Sequence, residues 1–170
     1  MENLHSLNFV HRYLKTKHIL LDSELHPILT DFGVYHLQEW EITSPTPYIM
    51  SPELLDDYIQ YKRTKPIDVY SFSMILYEIW TETFPHENLN LLDIVQKVLN
   101  NIRPHLPSYM NNIKNLITRF WDQNPDERPT FTEICDFLET NGLIPSMDQE
   151  LFNSYKQLVR PSHPSEASNS

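Results

Sequence analysis

A chain of 170 residues with 40% hydrophobic side chains can bury one core, and nothing in its length calls for a second domain. Thirteen lysines and arginines against 23 aspartates and glutamates leave a formal charge of −10 with no basic run, which argues against nucleic acid or an anionic membrane as the main partner. A single cysteine, Cys135, excludes an internal disulfide framework; with no signal-peptide pattern and no membrane-length apolar run, cytosol or nucleus is the expected compartment.

The eight histidines are dispersed, without zinc-ligand spacing supported by cysteines, and read as separate surface or core residues. Leu4, Leu7 and Val10 are spaced like the end of an amphipathic helix. Residues 11–33, HRYLKTKHILLDSELHPILTDFG, then set two polar clusters around two short apolar runs. Ile19-Leu20-Leu21 and Ile28-Leu29 are too short for helices, and the turn formers between Asp22 and Pro27 predict a small β-hairpin. Such a hairpin brings His11-Arg12-Tyr13-Leu14-Lys15 and Asp31-Phe32-Gly33 to one end of the sheet, where they converge on one site.

Residues 34–53, with three prolines and no sustained period, predict an ordered loop. Within it Thr43, Ser44 and Thr46 are hydroxyls open either to phosphorylation, with Arg12 as the receiving cation, or to service as turn and cap residues. Residues 68–82, DVYSFSMILYEIWTE, are apolar on most of their circumference and predict a helix buried on all sides, its start marked by Pro66 and Asp68. On the next helix, over residues 90–100, the predicted face is Leu91, Leu92, Val95, Val98 and Leu99, which reads as core packing. Ile113, Leu116, Ile117, Phe120 and Trp121 repeat the pattern. Thr130 is a candidate cap for a last helix with the stripe Phe131, Ile134, Cys135 and Leu138, which makes Cys135 a core residue. After Gly142 the pattern fades: residues 143–159 read as a C-terminal extension and residues 160–170, RPSHPSEASNS, as a disordered tail.

Several of these stretches together resemble a protein kinase domain of the Ser/Thr or tyrosine-kinase-like type. HRYLKTKH at residues 11–18 resembles the catalytic loop HRDLKxxN, and Asp31-Phe32-Gly33 resembles the DFG turn, in the family's order and separation. Ser51-Pro52-Glu53 is similar to the APE that ends the activation segment, and Asn124-Pro125-Asp126-Glu127-Arg128-Pro129 to the NPxxRP element. The resemblance implies a mainly α fold with a small β-hairpin: the kinase-like C-terminal lobe over residues 1–142, with the N-terminal nucleotide-binding lobe absent. It also implies that Asp68 bonds the backbone of the catalytic loop, that Arg128 pairs with Glu53, and, as the alternative to core packing, that the helix over residues 90–100 offers a docking surface for substrates and regulators. Thr46 stands where a threonine helps seat substrate, with Pro45 replacing the usual glycine before it. The only glycines, Gly33 and Gly142, leave no phosphate-cradling loop, so tight nucleotide binding by this chain alone is not expected.

His11, Arg12, Lys15, Asp31, Phe32 and Gly33 keep the family pattern, whereas Tyr13 occupies the catalytic Asp position and His18 the magnesium Asn position. In the family that Asp takes the substrate hydroxyl proton while the Asn and the DFG Asp hold magnesium. A phenol, with a reference pKa of about 10, is protonated at neutral pH and carries no charge. An imidazole is a poor ligand for magnesium, which leaves Asp31 as the family metal ligand. The expected function is that of a catalytically impaired pseudokinase acting through other proteins, whether kinase, substrate or scaffold, with no cofactor for this chain alone. The alternatives are a Ser/Thr kinase using ATP and magnesium when a longer product supplies the other lobe, and a truncated product with no settled role.

Overall fold

The computed structural model describes residues 1–31, 47–56 and 64–140. The expectations for Phe32, Gly33, Thr43, Ser44 and Thr46, and for the extension and tail beyond residue 142, lie outside the described residues. The chain forms two compact units, one joining residues 1–9 to the segment that begins at Phe131, the other running from Val10 to Thr130.

In the first unit, helix α1 (Glu2–Ser6) lies against the C-terminal helix (Phe131–Thr140). His5 is the buried residue of α1, its ring edge-on to Phe131 with centroids 5.1 Å apart. The predicted stripe is corrected here: the helix ends at Ser6 and Leu7 is exposed. Asn8 takes a left-handed φ of 60°, and the Phe9 N–H returns to the Leu4 carbonyl, which closes the helix before Val10 can join the stripe. On the C-terminal helix Phe131 and Ile134 are buried as their spacing predicts, while Leu138 and Cys135, the latter expected in the core, are half-buried.

The second unit opens with the predicted hairpin. Strands β1 (Ile19–Leu21) and β2 (Pro27–Leu29) pair antiparallel with Ile19 opposite Leu29 and Leu21 opposite Pro27. Asp22 organises the turn by accepting the Glu24 and His26 N–H groups, each at 2.8 Å. Beyond the last pair, the Thr30 N–H donates to the His18 carbonyl at 2.9 Å and extends the register toward Asp31.

The unit's core is built on a 16-residue helix (Pro66–Thr81), numbered α3 because a short helix α2 (Pro52–Asp56) precedes it. Pro66 opens α3 at a position where no N–H is needed, and Glu82 ends it in a left-handed conformation. Tyr70, Met74 and Ile75 are buried, but Ile79 and Trp80 are exposed, so burial on all sides holds for the first turns and fails at the last. Helix α4 (Leu91–Leu99) and a 3-10 turn (Pro47–Ile49) pack together, and helix α5 (Asn111–Phe120) lies along α3. Ile113, Leu116, Ile117, Phe120 and Trp121 are all buried, as predicted.

Two expectations are corrected. On α4 the expected Val98 is buried and Leu91 and Val95 are half-buried, but Ile94, outside the predicted face, is buried with them, while Leu92 is 73% and Leu99 39% exposed. The segment expected as loop up to residue 53 contains the 3-10 turn and the start of α2, where Pro52 supplies a φ suited to a helix start. The described part is thus mainly helical with one two-stranded antiparallel sheet.

Candidate functional site

Asp68, fully buried near the start of α3, anchors the site. Its carboxylate accepts the His11 N–H at 2.8 Å and the Arg12 N–H at 2.7 Å, so two successive amides before the hairpin are held by one side chain. The fit requires Arg12 to adopt φ 71°, a costly conformation for a residue with a Cβ. His11 ties the same segment to the exit of β2. Its Nε2–H donates to the Thr30 carbonyl at 2.9 Å, and its Nδ1 accepts the Tyr13 N–H at 3.3 Å.

Around this frame Tyr13, Lys15, His18 and Asp31 come together. The Tyr13 ring meets the His18 ring edge-on with centroids 4.9 Å apart, and the Lys15 ammonium sits 3.8 Å from the centre of the Tyr13 ring. His18 Nδ1–H donates to the Tyr13 carbonyl at 2.9 Å, while Nε2 lies 3.7 Å from Asp31 Oδ2. Burial, and then the positive charge of Lys15, hold the His18 imidazole below its ordinary pKa. Asp31 is half exposed, and its Oδ2 accepts the Thr30 hydroxyl at 2.8 Å.

The donor set does not suit magnesium. Position 18 offers an imidazole nitrogen in place of an oxygen, and Asp31 supplies one carboxylate where a hard octahedral ion needs oxygens throughout. Tyr13 presents a phenol that at neutral pH carries its own proton and has no charge with which to take another.

Glu53 and Arg128 form a second constellation. The guanidinium grips the carboxylate through two bonds, Nη1 to Oε1 at 2.7 Å and Nη2 to Oε2 at 2.9 Å, with both residues buried. Arg128 also donates to the Asp122 carbonyl at 2.9 Å and to the Pro66 carbonyl at 3.1 Å, fastening α2 to the start of α3.

Two features escaped the sequence reading. The Thr16 hydroxyl hydrogen-bonds the Glu78 carboxylate, whose oxygens lie 3.0 and 3.1 Å away, and burial raises the Glu78 pKa. A single carboxylate within the apolar run of residues 74–80 was the available signal. The second is a cavity of about 340 Å³ bounded by Pro47, Tyr48, Phe84, His86, Leu91 and Ile94, assembled from three separate stretches of chain.

Residues 1–138 match the family described as protein tyrosine and serine/threonine kinase. A dual specificity protein kinase of Dictyostelium discoideum, pyk3, is 36% identical over 145 residues, covering 82% of this chain and 11% of that protein. An RGS domain-containing serine/threonine-protein kinase of the same organism is 34% identical over 155 residues, 89% of this chain and 13% of that protein. The serine/threonine/tyrosine-protein kinase HT1 of Arabidopsis thaliana is 34% identical over 145 residues, 82% of this chain and 36% of that protein. The chain thus spans between 11% and 36% of the length of these curated relatives.

Proposed function

Because the chain belongs to the protein tyrosine and serine/threonine kinase family, we propose that it forms the C-terminal lobe of a kinase-like domain that is impaired in phosphoryl transfer and acts by binding other proteins. The observation that carries this reading is Tyr13. Its ring fills the catalytic Asp position, with the Lys15 ammonium on one face and the His18 ring at its edge. Loss of a general base alone lowers a rate by about 10²- to 10⁴-fold, and the His18–Asp31 donor pair weakens magnesium ligation besides.

Binding of proteins is supported by the hairpin, where Leu20, Leu21, Leu25 and Ile28 are all exposed. Apolar side chains gathered on one element mark interaction surfaces. The charge of −10 favours protein partners over nucleic acid or an anionic membrane. Among the described residues no helix is long and apolar enough to cross a membrane, in keeping with the proposed site of action in cytoplasm or nucleus.

The second reading, a Ser/Thr kinase active with ATP and magnesium when joined to a nucleotide-binding lobe, is favoured by Asp31 and Lys15, which keep the family pattern. Phosphate transfer from ATP in the presence of magnesium, measured on the purified protein that carries this chain, separates the two. The expected result is no transfer above that of the Asp31→Ala variant. Transfer that Asp31→Ala abolishes would establish the second reading.

A further inference from the structure

The neighbours of His18 decide which of its nitrogens is available. The Tyr13 carbonyl can only accept, so the 2.9 Å bond to Nδ1 places the ring proton there and leaves the Nε2 lone pair facing Asp31. Nε2 and Asp31 Oδ2 stand 3.7 Å apart, two acceptors opposed across a gap too wide for a hydrogen bond. Both are braced from behind. The Thr30 hydroxyl bonds Oδ2 at 2.8 Å, and the Thr30 N–H bonds the His18 carbonyl at 2.9 Å. A carbonyl on the far nitrogen of a histidine and a hydroxyl on a carboxylate are the supports that metal ligands usually have.

We infer that His18 and Asp31 form a two-ligand site for a divalent ion of the zinc type, and that this pair selects against magnesium. The separation supports the choice as well as the donor chemistry. An ion bound about 2.1 Å from each atom would see them at an angle of about 125°, closer to a tetrahedral opening than to the right angle of an octahedral magnesium shell. Zinc accepts imidazole nitrogen beside carboxylate oxygen, whereas magnesium retains oxygen ligands. His11 does not serve as a third ligand, because both its nitrogens are engaged with the Tyr13 N–H and the Thr30 carbonyl. Among the described residues no cluster of three or more His, Cys, Asp or Glu forms a metal cage, so solvent completes the shell. Lys15 is the opposing charge close to His18.

The inference goes beyond the proposed function, since it concerns ion binding and holds whether or not phosphate is transferred. It is tested by calorimetric titration of the full chain with zinc chloride and, separately, with magnesium chloride. In the wild type zinc binds more tightly than magnesium. His18→Asn and Asp31→Asn each weaken zinc binding by about tenfold or more, and Lys15→Ala strengthens it. Without zinc, both ligand variants keep a cooperative melting transition close to that of the wild type, which shows that each is folded, and the zinc-induced rise in melting temperature shrinks in both. Zinc affinity unchanged in either ligand variant would assign the ion to another histidine and overturn the site, as would magnesium binding as tight as zinc. The transfer assay and the titration fail independently, so neither result stands in for the other.

Discussion

The Asp68 carboxylate accepts the backbone N–H of Arg12 at 2.7 Å while Arg12 is held at a φ of 71°. A non-glycine residue in that region costs about 1 to 3 kcal/mol. Two hydrogen bonds from one buried carboxylate, to His11 and to Arg12, are of the size needed to offset it. The turn that positions Tyr13 therefore rests on a residue 56 positions away in sequence.

Asp68→Asn keeps the shape of this anchor but turns one of its two accepting oxygens into a donor facing an N–H. A loss of about 2 to 3 kcal/mol of stability is expected, as for bonds to a charged group. Urea unfolding measures it. An unchanged midpoint would mean that the carboxylate does not hold the turn.

Arg128→Ala removes both bonds from the buried Glu53 carboxylate to its guanidinium partner and is expected to cost about 3 to 5 kcal/mol. Arg128→Lys falls short of the wild type because an ammonium cannot make the paired bonds at 2.7 and 2.9 Å. The same unfolding curves decide. Arg128→Lys as stable as the wild type would show that charge alone matters.

Tyr70 is fully buried, with the Arg103 and Arg128 guanidiniums 5.3 and 5.2 Å from its ring centroid, yet among the described residues its hydroxyl has no hydrogen-bond partner. Burial pushes its pKa up to about 12. Tyr70→Phe keeps the ring contacts and removes an unsatisfied polar atom, so stability is expected to stay level or rise by about 1 kcal/mol. A loss of that size in thermal unfolding would reveal a partner for the hydroxyl.

His86 is half-buried, and burial, then Lys97 and Arg103, hold its pKa below the ordinary value. The unfolded chain therefore takes up the proton first, and stability present above about pH 6.5 is lost as pH falls toward the folded-state pKa. His86→Asn, compatible with the φ of 60° at this position, is expected to lessen the fall in melting temperature between about pH 7 and 5. His18 shifts in the same direction and stays in the variant, so the difference isolates His86. Parallel curves would remove His86 from the acid response.

The hairpin and α5 were legible because their signals are local: Ile19-Leu20-Leu21 and Ile28-Leu29 are too short for a helix, and the α5 stripe repeats over three turns. Helix α4 was read in part: Val98 is buried and Leu91 and Val95 half-buried as expected, but the face was drawn too far toward Leu92 and Leu99 and missed Ile94, because spacing gives the rough direction of a stripe and packing around the 3-10 turn decides where it is centred. Helix α1 was overextended because the left-handed Asn8 that ends it leaves no mark on hydrophobic spacing. Thr16 and Glu78, 62 residues apart, meet only after α3 is in place.

The sequence by itself determined the chemistry available at the site: a phenol at position 13, an imidazole at position 18, one carboxylate at position 31, and motifs ordered as in a kinase. Tertiary structure alone decided how those groups face one another. The Tyr13 carbonyl selects the nitrogen that His18 presents, and the hairpin register sets Asp31 before it. Direction comes from hydrogen bonds closed by the fold, and residue spacing does not carry it.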